Sequence, residues 1–326
     1  MKKYDVTALG ELLIDFTQNG TSGQGNLLFE ANPGGAPCNV LAMLAKLGDT
    51  AAFIGKVGKD FFGEQLKTAV AEAGIDASYL RMDEETRTTL ALVHTGPDGD
   101  REFSFYRNPG ADMMLTEEEI PEELIQSSRI FHFGTLSMTH EGVRRATQKA
   151  VQTAKRAGCL VSFDPNLRPP LWKDMEEARC QVLYGLENCD ILKISDNEIQ
   201  WLTGEKDYTK GVEWINSRYQ IPLVFVSMGK EGSRAYYRDI MAEAPPVLTK
   251  DTIETTGAGD TFCGCILHEI VKRGLEHLTK EDLYQMLCFA NSAASIVTTR
   301  RGALRVMPSL EEIKNLADQR LKDCVR

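Results

Sequence analysis

Two hydrophobic patterns alternate along most of the chain. Short runs that are almost wholly apolar predict buried strands, and they occur at YDVTALG, AAFIGKVG, RIFHFG, CLVSFD, CDILKIS and PLVFVSMG. Elsewhere apolar residues recur every three or four positions, which predicts amphipathic helices at PCNVLAMLAKLG, DFFGEQLKTAVAEAG and EGVRRATQKAVQTAKRAG. Strands that alternate with helices are typical of an α/β fold, here a doubly wound, mostly parallel sheet with helices on both faces.

Two early segments depart from this alternation. The run ELLIDFTQ is followed by NLLFEANPGG, and residues 88–107 hold two β-rich runs around the turn GPDGD at 96–100. Strands joined by a short glycine-containing turn form hairpins rather than β-α-β units. We therefore predict one domain over residues 1–326 that carries a small β-sheet lid, built from segments at about 12–33 and about 88–110.

The composition limits the partners. The 326 residues include 37 Lys and Arg against 47 Asp and Glu, a net charge of −10. A nucleic-acid binder needs a basic face, so nucleic acid is not an expected partner. No apolar run approaches about 18 residues, so neither a membrane span nor a signal peptide is predicted. The eight cysteines form no C-x-x-C pair, which favours a reducing, cytoplasmic location.

The segment IETTGAGDTFCG, residues 253–264, combines a glycine turn with the start of an apolar helix. Helix N-termini expose unpaired N–H groups, and glycines let a ligand approach them closely. Gly257, Ala258 and Gly259 are therefore candidates for an anion hole. Asp260 is a candidate general base, since the helix N-terminus favours its ionised form. The alternative is that this aspartate only caps the helix.

A second glycine pair precedes a predicted helix in NPGGAPCN, residues 32–39. The N–H groups of Gly34 and Gly35 and the side-chain amide of Asn39 could bind sugar hydroxyls, and Asp15 could accept hydrogen bonds from a hydroxyl pair. Taken alone, the segment is equally compatible with a loop before a helix cap, and Asp15 with a turn residue at a strand end.

Together these motifs resemble the signatures of the ribokinase-like (PfkB) carbohydrate kinases. GGAPCNVLAMLAKLGDTAAFIGKVG, residues 34–58, is similar to the N-terminal signature, and ETTGAGDTFCGCIL, residues 254–267, to the C-terminal one. The resemblance implies a ribokinase-like fold and Mg²⁺-dependent phosphoryl transfer from ATP to a sugar hydroxyl, with Asp260 as the catalytic base beside the glycine turn. It also implies contacts to the sugar from Asp15, Gly34, Gly35 and Asn39.

The same resemblance implies a nucleotide site. SMGKEG, residues 227–232, matches the loop beside the nucleotide through Ser227, Gly229 and Gly232. Asn291 matches a helix position near the adenine.

Two positions depart from the family pattern. In SDNE, residues 195–198, Ser195 replaces the asparagine of an N-x-x-E motif, whereas Glu198, near the phosphates and Mg²⁺, is kept. Glu254 stands where the second signature usually begins with aspartate, close to the monovalent-cation site of many members. The resemblance therefore implies nucleotide contacts by Ser195 and an indirect Mg²⁺ contact by Glu198, and it leaves K⁺ activation at Glu254 open.

Further segments look like those of bacterial fructokinases within the family. REFSFYRNPGADMML, residues 101–115, and SFDPNLRPPLW, residues 162–172, carry this likeness, which implies conversion of D-fructose to fructose 6-phosphate. Arg107 and Arg168 are candidates for contacts at the sugar–phosphate end, where they could bind phosphates or the carboxylate of a sugar acid. Surface salt bridges are the alternative for both.

Other functions stay open at this point. The same fold could use 2-keto-3-deoxygluconate, another sugar or a nucleoside as acceptor, and a sugar-sensing protein could bind without turnover. An exposed sheet face tends to be covered, and relatives often pair through the lid, so the resemblance implies a homodimer.

Overall fold

The computed structural model describes residues 2–95 and 101–324, so the predicted turn GPDGD at 96–100 lies outside the described residues. The strands in these ranges are β1 Tyr4–Leu9, β2 Leu13–Thr21, β3 Leu27–Gly34, β4 Ala51–Gly58, β5 Ile75–Asp76, β6 Leu80–Asp83, β7 Leu90–Thr95, β8 Arg101–Tyr106, β9 Ser128–Gly134, β10 Leu160–Asp164, β11 Ile191–Ser195, β12 Leu223–Ser227, β13 Ser233–Tyr237 and β14 Ile240–Ala244. The α-helices are α1 Ala36–Lys46, α2 Phe61–Glu72, α3 Glu122–Gln126, α4 Glu141–Arg156, α5 Met175–Asn188, α6 Asp196–Thr203, α7 Tyr208–Tyr219, α8 Ala258–Arg273, α9 Lys280–Thr298 and α10 Leu310–Cys324.

The larger of two sheets forms the body of the molecule. Its strands run in the order β14-β13-β12-β11-β10-β9-β1-β4-β5, and β6 also pairs with β4. The pairs between β12 and β5 are parallel, whereas β13 and β14 are antiparallel. The predicted doubly wound, mostly parallel sheet is confirmed.

Helices cover both faces of this sheet because successive strand residues point to opposite sides. On one face, Val6 of β1 packs in a buried cluster with Leu41 of α1 and Phe262 of α8. On the other face, Leu9 of β1 packs in a second cluster with Val143 of α4. These two apolar layers account for the nearly continuous apolar strands that the sequence contains.

The four remaining strands form the small sheet, in the order β3-β2-β7-β8. They come from the two segments that break the α/β alternation, and β2 pairs antiparallel with β3 and parallel with β7. Several large apolar side chains of this sheet are exposed, among them Leu27 at 56% and Tyr106 at 64%. Its extent as a subdomain, at about 12–33 and about 88–110, stays a prediction.

The C-terminal third, predicted to be mainly helical, also holds the hairpin β13–β14. Tyr236 and Tyr237 are aromatic residues that favour strands, and Arg238 makes the turn with a positive φ of 52°. The sequence analysis missed this short hairpin because its turn contains no glycine. Among the described residues, no helix combines the length and apolarity needed to cross a membrane.

Candidate active site

A cavity of about 530 Å³ opens between the two sheets. Its wall includes Ser195 and Ser227, which lie at the carboxyl ends of the body strands β11 and β12. It also includes Asp15 from β2 of the small sheet. Ligands of doubly wound folds bind at this edge of the sheet. Eleven of the predicted site residues line it: Asp15, Gly35, Asn39, Arg168, Ser195, Glu198, Ser227, Gly229, Gly257, Gly259 and Asp260.

Asp260 lies in the first turn of α8, where Gly257 starts the helix with a φ of 78°. Its Oδ2 accepts a hydrogen bond of 2.8 Å from Nδ2 of Asn39, a residue 221 positions away. In the described residues its carboxylate accepts from that partner and from no N–H of its own helix. The capping alternative is therefore wrong, and the carboxylate faces the cavity.

Burial raises the pKa of Asp260 above its usual value, although the hydrogen bond from Asn39 and the charges of Lys193 and Arg168 oppose this shift. Removing a carboxylate from water disfavours its charged form, which opposes the preference of a helix N-terminus for the ionised form. A higher pKa makes Asp260 a stronger proton acceptor than an exposed aspartate.

Asn39 joins the two motifs through its side chain. Because Nδ2 donates to Asp260, the orientation of the amide is fixed, and Oδ1 is turned away. Oδ1 is buried and has no hydrogen-bond partner among the described residues. Buried amide oxygens are rarely left unpaired, and the contact of this oxygen with a sugar hydroxyl stays a prediction.

Gly35 positions the turn that carries Asn39. Its φ is 134°, and a Cβ on it would lie 2.4 Å from the carbonyl oxygen of Glu11, so only glycine allows this close approach. Gly34 does not line the cavity; a Cβ there would lie 2.3 Å from Oδ2 of Asp15. Gly34 thus leaves room for Asp15, the carboxylate at the predicted sugar end.

Burial raises the pKa of Asp15 to about 7, assisted by the negative charges of Glu254 and Asp260 and opposed by Arg168. Asp15 is therefore partly protonated near neutral pH. Arg168 lies on the cavity wall close enough to act on both Asp15 and Asp260. A surface salt bridge does not describe it, since its charge faces the cavity.

The predicted nucleotide end of the cavity lies at the capped N-terminus of helix α6. Ser195 starts α6, and its Oγ donates to Oε2 of Glu198 at 2.8 Å. The second oxygen of Glu198, Oε1, accepts from the N–H of Leu167 at 2.8 Å. Ser195 is adjacent to Ser227 in the parallel pairing of β11 and β12. The serine that replaces the usual asparagine thus fixes Glu198 at the cavity wall.

Gly232 and Asn291 do not line the cavity in the described structure. A Cβ on Gly232 would lie 2.3 Å from the carbonyl oxygen of Ala244, so this glycine shapes the turn after Gly229. Asn291 accepts from Oγ of Ser233 at 2.9 Å and donates to a backbone carbonyl at 3.0 Å. Their predicted nucleotide contacts stay predictions.

Arg107 also lies off the cavity wall. Its guanidinium is buried, and it donates to Asp112 at 2.8 Å, to Thr139 at 2.8 Å and to the carbonyl of Leu136 at 2.9 Å. The ion pair is thus buried rather than at the surface. Arg107 anchors the end of β8 to the body, and its contact with substrate stays a prediction.

Glu254 is buried just before α8 and accepts from the N–H of Gly302 at 3.3 Å. It does not line the cavity, and neither does Ala258 in the glycine turn. No group of three or more His, Cys, Asp or Glu side chains in the described part of the chain is arranged to hold a metal ion.

Two charged residues that the sequence did not reveal as site residues, Lys193 and Glu11, line the cavity; Asp164, which the segment SFDPNLRPPLW suggests as a polar residue of the cleft, lies beside Lys193. Lys193 on β11 forms an ion pair of 2.9 Å with Asp164, and burial raises the pKa of Asp164 to about 6. Glu11 lines the cavity and accepts from the N–H of Ala36 at 2.8 Å. The sequence signal for Lys193 was a lysine between the apolar residues Leu192 and Ile194 of the predicted strand CDILKIS.

The fold belongs to the doubly wound α/β class, and the cavity lies where such folds bind small-molecule ligands. The pfkB family carbohydrate kinase profile matches residues 3–310. The chain belongs to this family of carbohydrate kinases.

Named relatives agree with the family. A probable fructokinase-2 of Arabidopsis thaliana is 41% identical over 306 residues, which cover 93% of this chain and 93% of that protein. A fructokinase from Xylella fastidiosa with bound ATP has a TM-score of 0.89 at 30% identity, covering 98% of this chain and 100% of that one. A fructokinase from Vibrio cholerae O395, bound to fructose, ADP and a calcium ion, has a TM-score of 0.85 at 28% identity, with 97% and 100% covered.

Proposed function

We propose that the protein is an ATP-dependent fructokinase that converts D-fructose and ATP to fructose 6-phosphate and ADP. The observation that carries this proposal is that Asp260 lines one cavity together with Asp15, at the predicted sugar end, and with Ser195 and Ser227, at the predicted nucleotide end. The sugar hydroxyl oxygen attacks the γ-phosphorus while Asp260 takes the hydroxyl proton. The bond to the bridging oxygen breaks, and ADP leaves.

The chain's own groups supply positioning and charge for this step. Asn39 holds the Asp260 carboxylate, and the glycine turn Gly257–Gly259 offers N–H groups to the transferred phosphoryl group. The small sheet excludes water that would otherwise accept the phosphoryl group. When bound, Mg²⁺ would supply positive charge to the nucleotide phosphates. Glu198 and Asp196 line the cavity at that end, and one or two carboxylates with phosphates and water are the usual ligands of this ion.

Fructose is the proposed acceptor because the fructokinase from Vibrio cholerae holds fructose in the same fold. A sugar acid such as 2-keto-3-deoxygluconate is the second candidate, favoured by Arg168 on the cavity wall. A guanidinium binds a carboxylate through paired hydrogen bonds, whereas a neutral ketose offers it only hydroxyls or, after transfer, a phosphate.

ADP release is the measurement that tests the acceptor. Fructose, glucose, ribose, 2-keto-3-deoxygluconate and adenosine are compared in Mg-ATP, with and without K⁺ because Glu254 stands at the predicted cation position. We expect fructose to give the highest kcat/KM. Turnover confined to the keto acid would replace fructose as substrate and make Arg168 its carboxylate ligand. Binding of sugar without any ADP release would indicate a sensor and contradict the kinase proposal.

We also propose a homodimer in which the small sheet is covered by a second copy. Leu27, Leu28, Phe29 and Tyr106 are exposed on or next to its outer strands, and large exposed apolar patches mark interaction surfaces. Light scattering of the wild type should give twice the mass of the chain, and the double variant Leu27→Asp/Phe29→Asp should give the monomer mass. A monomeric wild type at micromolar concentration would contradict this assembly.

A further inference from the structure

Lys193 is a buried cation in the wall of the cavity. It lies on β11, between apolar strand residues that pack in the core, and its Nζ is 2.9 Å from Oδ2 of Asp164 on the neighbouring strand β10. A buried ion pair contributes little net stability, because desolvation of both charges offsets their attraction. Stability alone therefore does not account for a lysine at this position.

The ammonium group lies against the glycine turn. A Cβ added to Gly259 would be 3.3 Å from Nζ of Lys193, so the cation is next to the predicted anion hole. Its positive charge also acts on Asp260 and opposes the rise in the pKa of that carboxyl. An ammonium has three N–H donors, and Asp164 is its one carboxylate within ion-pair distance among the described residues.

Carboxylates outnumber cations in the described lining of the cavity. Five carboxylates line the described cavity, Glu11, Asp15, Asp196, Glu198 and Asp260, against two cations, Lys193 and Arg168. The charge of Arg168 acts on Asp15 at the predicted sugar end, whereas Lys193 pairs with Asp164 and also interacts electrostatically with Glu198 at the predicted nucleotide end. A polyphosphate entering this acidic cavity meets Lys193 beside the glycine turn, at Gly259.

We propose that Lys193 is a further catalytic residue, whose ammonium group donates to an oxygen of the phosphoryl group during its transfer. Asp164 holds the ammonium in place and accepts one of its N–H groups. Lys193 stays protonated throughout, so it forms and breaks no covalent bond. Preorganised donors of this kind act most strongly on charge that develops in the transition state. The assignment rests on the proposed kinase function.

The test compares Lys193→Met with Lys56→Met. Lys56 is a matched control, since it is also a buried strand lysine and pairs with Glu119 at 2.7 Å and Asp83 at 3.6 Å, but it does not line the cavity. We expect Lys193→Met to lower kcat about 100-fold or more, the usual scale for losing one such donor. The KM for fructose should change little, and the folded fraction of Lys56→Met should keep the wild-type kcat.

A second readout separates catalysis from structure. ADP, Mg²⁺, aluminium fluoride and fructose together mimic the transition state. The affinity of the enzyme for this combination therefore reports how tightly it binds the transition state. Lys193→Met should lose affinity for this complex by about the same factor as kcat, with ADP affinity nearly unchanged. If Lys193→Met fails to fold, the double variant Asp164→Asn/Lys193→Met removes the unpaired carboxylate and is tested instead.

The two proposals fail in different ways. A wild type without turnover on any acceptor would overturn the kinase proposal and, with it, the role of Lys193. The outcome is different if the wild type phosphorylates any acceptor. If a folded Lys193→Met variant then has the same kcat and the same affinity for the aluminium fluoride complex, only the assignment of Lys193 is overturned.

Discussion

Replacing Asp260 by asparagine is expected to lower kcat by at least about 100-fold, the scale for loss of a general base, without loss of stability. The amide Oδ1 can still accept the hydrogen bond that Asn39 donates, so the geometry is kept. The native pKa of Asp260 is raised by burial. Its ionisation therefore disfavours the folded state at assay pH above that pKa, and a neutral side chain should match or exceed the wild-type Tm. Steady-state ADP release and thermal melting measure the two effects.

Asp282→Asn is the matched control. Asp282 occupies the third residue of α9, as Asp260 does in α8, and its Oδ2 accepts from Thr279 in a capping box. The same chemical change there keeps an acceptor for the N–H of Thr279 but removes the surface ion pair with Arg273, so it should cost at most about 1 kcal/mol of stability and leave kcat unchanged. Near-normal turnover of Asp260→Asn, with the control behaving as expected, would show that another group takes the proton.

The elements of the fold follow from local patterns, which is why the sequence predicts them. Apolar runs with helical or strand periodicity form the two faces of the body sheet, and the two hairpin segments supply the small sheet. The hairpin β13–β14 was not predicted because its turn, at Arg238, has a positive φ without a glycine. Local signals fail where a side chain adopts a conformation that its type rarely takes.

The site was predictable only where a motif marks it. The glycine turn and Asp260 lie in one continuous segment, but the hydrogen bond from Asn39 links residues 221 positions apart. Lys193 and Asp164 meet through strand order, and the sequence does not state that β10 and β11 are neighbours. Asn291 and Arg107 carry polar groups of the right type, yet protein partners satisfy them. Which polar groups remain free for a ligand is a property of the packing.

Asp15 is the second residue whose replacement should have a large effect, on binding rather than on the chemical step. An ionised carboxylate that accepts from two sugar hydroxyls makes charge-assisted hydrogen bonds, each worth about 1.5–3 kcal/mol. Asp15→Asn should therefore weaken fructose binding between about tenfold and a few hundredfold. Calorimetric titration of fructose without nucleotide measures this Kd directly.

The pH dependence of that Kd tests the same assignment independently. With a pKa of about 7, Asp15 is mostly ionised at pH 8 and mostly protonated at pH 6, so the wild type should bind fructose about tenfold more weakly at pH 6. The Asp15→Asn variant should bind with a Kd that is independent of pH over this range. Glu11, whose pKa burial also raises to about 7, is the competing source. A tenfold pH dependence that persists in Asp15→Asn would therefore assign the titration to another buried carboxyl, with Glu11 the first candidate, and contradict the role of Asp15.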